Sequence, residues 1–258
     1  MRSKILLHIS FVGTAYCGWQ KQKNKVTVQE KLTEAAEALF GYPCDITGCS
    51  RTDSGVHANM FCATVTKKKE STLDTTVPLE KIPRALNNFL PNDISVISAS
   101  CVEESFHPRY DVAFKEYVYL IFDRPERDPF SASRVWHLPR GFTPEAVENM
   151  DRAAKAFVGK YDFSAFMAQG SKIEDATRTV MYAGCEKHGN TVVFRIAADG
   201  FLYNMVRIMA GTLVDVGEGR TSPDDIKKII EGKDRKQAGR TAPADGLYLN
   251  KVSYDLSK

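Results

Sequence analysis

GCSRTDSGVHA, residues 48–58, crowds an arginine, an aspartate, two serines and a histidine into one glycine-bounded stretch between two apolar segments. Thr, Asp, Ser and Gly each have a local backbone reason to build a turn. Catalytic groups also concentrate on loops held by a rigid scaffold. Asp53, Ser54 and His57 have the residue types of a hydrolase triad, but they lie within five residues, whereas triad partners converge from distant segments. No G-x-S-x-G elbow and no phosphate-binding G-x-x-x-x-G-K-[ST] or G-x-G-x-x-G is present. In an extended segment residues two apart point to the same side, so Arg51 and Asp53 share a face there. They form either an exposed ion pair of small value or the charged wall of a cleft.

Outward from this stretch the chain alternates strands and helices. Residues 4–12 read as a strand, because Ile5, Leu7, Ile9 and Phe11 alternate with the rest. A lysine-rich loop follows, GTAYCGWQKQKNK, and Thr27 with Glu30 gives the capping box of a helix whose apolar face is Val28, Leu32, Ala35, Ala36, Leu39 and Phe40. FCATVT reads as a strand, 79–89 as a helix ending before Pro91, and ISVISASCV, 94–102, as another strand. In the second half, 115–122 and 191–198 are strands and 143–158 and 201–216 are helices. Ser222-Pro223-Asp224-Asp225 is a helix start, and GLYLNKVSYDL a closing strand. The pattern is two α+β halves, 1–103 and 104–258, joined near 103–110 with no low-complexity linker.

Two features of the second half carry chemistry. FLYNMVRIMAGTLV, 201–214, is apolar nearly all round and holds one charge, Arg207. That pattern predicts burial, and a buried guanidinium needs an anionic partner. Asp215, a helix C-terminus and Asp53 are the candidates, and pairing with Asp53 keeps that carboxylate ionised as a nucleophile or base. Tyr117 and Tyr119 lie on one face of a strand beside Lys115, either as half-buried packing or as a stacking platform for a nucleobase. Phe106, His107 and Arg109 stand just upstream and can flank the same cleft.

The composition, 43% hydrophobic and 26% charged, is that of a globular protein. The formal net charge of +3 permits an anionic partner without demanding one, and basic residues cluster in 21–25, 67–69 and 227–240. The six cysteines form no C-x-x-C pair and no zinc spacing with histidine, so free thiols in a reducing cytoplasm are expected. His8 and Ser10 interrupt the apolar run near the N-terminus and no cleavage site follows, which argues against a signal peptide. No segment has the length and apolarity of a membrane span.

Taken together, G-C-S-R-T-D-S-G-V-H-A resembles the catalytic signature of the TruA family of tRNA pseudouridine synthases, whose core is G-R-T-D-x-G-V-H. Other segments match in order: Tyr16-Cys17-Gly18-Trp19-Gln20, Val28-Gln29, Phe106-His107-x-Arg109, Tyr117-x-Tyr119, Asp162-Phe163, Met205-Val206-Arg207 and Gly246-Leu247-Tyr248-Leu249. Ser50 departs from a frequent glycine and Ser54 from a common alanine.

The resemblance implies the pseudouridine synthase fold, two similar α+β halves with mainly antiparallel sheets packed around a central cleft. It implies a cofactor-independent isomerase, with neither metal nor redox group, that converts uridine to pseudouridine in the tRNA anticodon arm at positions 38, 39 and 40. By that resemblance Asp53 and Arg207 are catalytic. Asp53 attacks C1′ of the ribose or abstracts a 2′ proton, a choice the sequence leaves open. Tyr117 stacks on the target base, Arg51 helps extrude it and Leu247 lines its pocket. His57, Phe106 and Arg109 complete the substrate-binding set. Partners implied are tRNA and a second copy of the chain.

Overall fold

The computed structural model describes residues 2–170 and 173–254. The chain divides into two compact units, Met1–Ala113 with Leu249–Lys258, and Phe114–Tyr248. The sequence boundary at 103/104 falls in the loop that precedes this division, and residues 249–254 return to the first unit.

In the first unit, β1 (Arg2–Phe11) opens the chain, and Leu6 is buried along with Ile5, Leu7 and Ile9. The 3-10 turn Gly13–Ala15 and an exposed loop lead to α1 (Val28–Phe40). Thr27 caps α1 by accepting from the Glu30 N–H, and Gly41 ends it in the left-handed conformation at φ 78°. The expected face holds for Val28, Leu32, Ala35 and Ala36, while Leu39 and Phe40 are half-buried. Then come β2 (Cys44–Gly48), β3 (His57–Lys67), the short β4 (Leu73–Asp74), α2 (Ile82–Asn87) and β5 (Ile94–Val102). β1 pairs antiparallel with β3 on one edge and β5 on the other, and β2 pairs antiparallel with the distal part of β3. The expected helix at 79–89 is a 3-10 turn, Leu79–Lys81, running into the single short helix α2.

In the second unit, β6 (Val112–Phe122), which enters from the end of the first, is joined by β7 (Trp136–His137) in a two-residue parallel pairing. Next are α3 (Pro144–Lys155), β8 (Gly159–Asp162), β9 (Thr177–His188), β10 (Thr191–Ala198), α4 (Met205–Gly217), α5 (Ile226–Gly232) and β11 (Leu247–Tyr254). β10 lies between β6 and β9, and β9 carries β8, all antiparallel. α3 packs on β9 and α4. It ends at Lys155, so Val158 lies outside it and is exposed. α4 starts at Met205, four residues later than its apolar pattern suggests. Asn204 takes a left-handed conformation, φ 59° and ψ 10°, which a right-handed helix cannot run through. β11 starts in the second unit with Leu247 and Tyr248 and continues in the first, where it pairs with β3. Among the described residues no helix is long and apolar enough to cross a membrane.

Candidate active site

In the first unit, residues 49–56 are a loop between β2 and β3, and its shape is set by the loop after β1. The Asp53 carbonyl accepts from the Val56 N–H at 3.2 Å, closing a turn with Gly55 at φ +82°. Both the Gly55 N–H and the Ser54 hydroxyl donate to the Tyr16 carbonyl, each at 3.2 Å. A Cβ on Gly13 would stand 1.9 Å from the Val56 carbonyl oxygen, and one on Gly18, itself at φ +79°, would stand 2.2 Å from that of Thr52. Backbone therefore lies directly on backbone at both ends of the Asp53 turn, an approach that only glycine permits.

Trp19 anchors the clamp. Its N–H reaches the Thr52 carbonyl at 3.4 Å, and its indole stacks on Phe61 of β3 at 4.0 Å. Gly48 leaves room for it, since a Cβ there would meet the indole nitrogen at 2.5 Å. The Gly18 and Trp19 carbonyls accept from Val28 and Gln29, so two of the orphan N–H groups at the start of α1 are satisfied by the same loop. The Gln29 side chain in turn donates to the Ile46 carbonyl of β2 at 2.8 Å. Tyr16 donates its hydroxyl to Asp93 at 2.5 Å, and burial first, then that carboxylate, raises the phenol pKa. Lys21, Lys23 and Lys25 project from the exposed part of this loop.

On this frame Asp53 is half-buried and Arg51 exposed. His57 lies at the start of β3. Its side chain is 0% exposed, and Nδ1 accepts from the Gly13 N–H at 2.9 Å, so it pins the start of β3 to the loop. Phe106 is also buried, set edge-on to Tyr254 at 5.0 Å, and so packs rather than faces solvent. Arg109 is exposed, with its guanidinium 5.9 Å from the Tyr110 ring.

In the second unit, Tyr117 and Tyr119 share one face of β6, as expected. Tyr117 is 7% exposed and meets Phe201 edge-on at 5.0 Å. Tyr119 is fully buried and donates its hydroxyl to the Pro243 carbonyl at 2.7 Å, and burial raises its pKa. Arg207, in the first turn of α4, is half-buried rather than enclosed. Its Nε donates to the Ala242 carbonyl at 2.7 Å and an Nη to the Asn204 side chain at 2.9 Å, while the Ala242 N–H returns to the Arg207 carbonyl at 3.0 Å. Asp215, one alternative partner, is bound by Arg220.

The segment after α5 lies against α4 because both carry glycines at the contact. A Cβ on Gly211 would stand 1.8 Å from the Arg240 carbonyl oxygen, and one on Gly239 2.7 Å from the Thr212 nitrogen. The Gly239 N–H donates to the Thr212 hydroxyl at 2.9 Å. Gly246 then passes over β6, 2.7 Å being the distance from its Cβ position to the Leu120 carbonyl oxygen, and this delivers buried Leu247 to the start of β11. Sequence reasoning missed Asn204, Trp19 and Asp93 as positioning groups. Asn204 had a signal, an N-cap residue type just before an apolar helix. Asp93 had none, because its partner Tyr16 is 77 residues away.

A family model described as tRNA pseudouridine synthase matches residues 8–111 and 153–255, which include Asp53 and Arg207. The chain belongs to this family. Among its relatives, a tRNA pseudouridine synthase A of Thermoanaerobacter sp. is 43% identical over 250 residues, covering 97% of this chain and 99% of the relative. The enzymes of that name from Clostridium acetobutylicum and Acetivibrio thermocellus are 41% and 42% identical over the same coverage. The fold is accordingly the α+β fold of the pseudouridine synthases. Among the described residues no group of three or more His, Cys, Asp or Glu side chains is arranged to hold a metal ion. The six cysteines are free thiols, and burial pushes Cys62 up to about 12 and Cys44 up to about 11.

Proposed function

We propose that this member of the pseudouridine synthase family isomerises uridine to pseudouridine in the anticodon arm of tRNA, at positions 38, 39 and 40. The reaction breaks the bond between C1′ and N1 and forms one between C1′ and C5. The C5 proton leaves to solvent and N1 gains a proton, so no redox change occurs. The observation that carries this reading is the match to the family through the loop that holds Asp53, a loop clamped between glycines. A mechanism that needs one carboxylate held at C1′ needs such a mounting.

In this reading Asp53 is the nucleophile or base and Arg207 the arginine that the family pairs with it. Tyr117 stacks on the base, Arg51 aids its extrusion, and Leu247 closes the pocket. The stacked uridine hides its glycosidic bond, so the nucleotide is flipped out before reaction. Retention of the freed uracil makes rejoining effectively unimolecular. His57 and Phe106 act by holding the protein frame, and Arg109 with the exposed lysines of 21–25 contacts phosphates. The chain works in the cytoplasm as a homodimer that shares one tRNA.

Tritium release from unmodified tRNA labelled at uracil C5 tests the proposal. Wild type releases tritium, and Asp53→Asn releases none while binding tRNA within several-fold of wild type. Turnover by Asp53→Asn removes Asp53 from the mechanism. Binding without release by wild type makes the chain an RNA-binding module.

A further inference from the structure

A cavity of about 660 Å³ opens within the second unit, at the far end of β6 from Tyr117. Ligand sites span about 300–1,000 Å³. Its wall includes Phe122, Arg127, Asp128, Trp136, His137 and Asp245. The rings are brought there by the β6–β7 pairing, in which Ile121 faces Trp136 and Phe122 faces His137. Phe122 stands five steps along the strand from Tyr117, about 16 Å at a rise of about 3.3 Å per residue. The cavity is therefore not the place where Tyr117 stacks.

Arg127 lines the cavity, and two further guanidiniums lie over the rings of its wall. Arg240 lies 4.8 Å from the Trp136 ring and Arg124 5.1 Å from the Phe122 ring. Tyr119 holds Trp136 edge-on at 6.1 Å. Beside the cavity, Phe130 is 86% exposed on the 3-10 turn Pro129–Ser131. That turn is fixed: Asp128 accepts from the Phe130 N–H at 3.1 Å, Arg134 donates to the Phe130 carbonyl, and the Tyr248 hydroxyl donates to the Arg134 carbonyl at 2.6 Å. Residues 124–140 carry Arg124, Arg127, Arg134 and Arg140 against Glu126 and Asp128. Single-stranded nucleic acid is bound by this combination, bases on rings and phosphates on guanidiniums. The Asp128 and Asp245 carboxylates are acceptors for an exocyclic amino group, which adenine, cytosine and guanine have and uracil lacks.

We propose that this cavity is a second RNA subsite, which takes an unstacked, amino-bearing nucleotide of the tRNA near the uridine that reacts. This rests on the synthase reading for the identity of the RNA. Two tryptophans make it testable. Trp19 is 1% exposed and stacked in the core, whereas Trp136 lines the cavity, so Trp136 reports on it.

Uridine-free oligoadenylate is titrated against wild type, Trp136→Phe and Arg127→Ala by intrinsic fluorescence, with anisotropy of labelled oligoadenylate to follow binding. Saturable quenching is expected in wild type, loss of that quenching in Trp136→Phe, which keeps a ring in the fold, and weakening by roughly ten-fold in Arg127→Ala. In turnover of full tRNA, Trp136→Ala raises KM by roughly ten-fold with kcat within two-fold. Binding by anisotropy without quenching overturns the proposal. Quenching by AMP at the same concentration reassigns the cavity to a free nucleotide, and a change with protein concentration alone reassigns it to a second copy of the chain. Tritium release run in parallel separates the two readings. Quenching without turnover sinks the synthase and keeps the cavity, and turnover without quenching sinks the cavity alone.

Discussion

Gly18 carries more of the candidate site than any charged residue beside it. It sits at φ +79°, and a side chain there would drive into the Thr52 carbonyl, one residue from Asp53. Gly18→Ala is expected to cost about 2–4 kcal/mol, strain and overpacking together. Turnover should fall further than the folded fraction does, because the Asp53 turn must move. A melting curve and a rate measured at a temperature where the variant is fully folded check both, and an unchanged Tm would mean that the clamp yields freely. Asp53, Tyr117 and Arg207 were legible as residue types. Their exposure was not. Arg207 read as enclosed because its helix is apolar all round, yet its head is half-buried and donates to the Asn204 side chain and the Ala242 carbonyl. The burial of His57 was not legible either, because its Nδ1 accepts from a backbone N–H 44 residues away.

Elements with strong local punctuation were legible to within a residue or two. Thr27 caps α1 in fact as in pattern, and it is fully buried. Thr27→Ala should therefore cost about 1 kcal/mol, read as a shift of the denaturant midpoint at constant slope. No shift would mean that the Gly18 and Trp19 carbonyls alone hold the first turn. β5 and β10 were legible end to end because apolar runs of β-branched residues mark them. β9 was not, although it is twelve residues long. Its consecutive residues Ala183, Gly184 and Cys185 are all buried, small side chains that give no period-two signal, and its partners β8 and β10 supply the order. β2 escaped for a similar reason, since Cys44 and Ile46 are its two buried apolar side chains.

At the scale of the whole molecule, one acid couples stability to pH through distant elements. Asp162 at the end of β8 takes Lys233 from beyond α5 at 2.8 Å and accepts from the Ser164 hydroxyl at 2.5 Å and N–H at 3.0 Å, which hold its carboxyl below the ordinary value of 3.8. A depressed folded pKa contributes stability above the unfolded value, and that contribution is lost as pH falls through the folded pKa. Wild type should exceed Asp162→Asn in stability at neutral pH, with the gap narrowing as pH drops below about 4. A gap constant from pH 6 to 3, measured by denaturant midpoints, would rule the pair out as the cause. The two-part organisation was visible in the alternation of elements. The return of the last strand was not, because pattern carries no information about which sheet a strand will join.

That return has a consequence for the order in which the protein can mature. Asn59 of β3 donates its side-chain amide to Asn250 across 191 residues at 2.8 Å. On a ribosome adding about 5–20 residues per second, the β3 edge beside the Asp53 loop waits roughly ten seconds or more for its neighbour to be made. The second unit has its residues in hand before the first is complete, and β3 needs shelter from stray strand pairing in the interval. A nascent chain stalled short of Leu249 would lack the last strand beside this loop, so the enzyme's competence arrives late in synthesis.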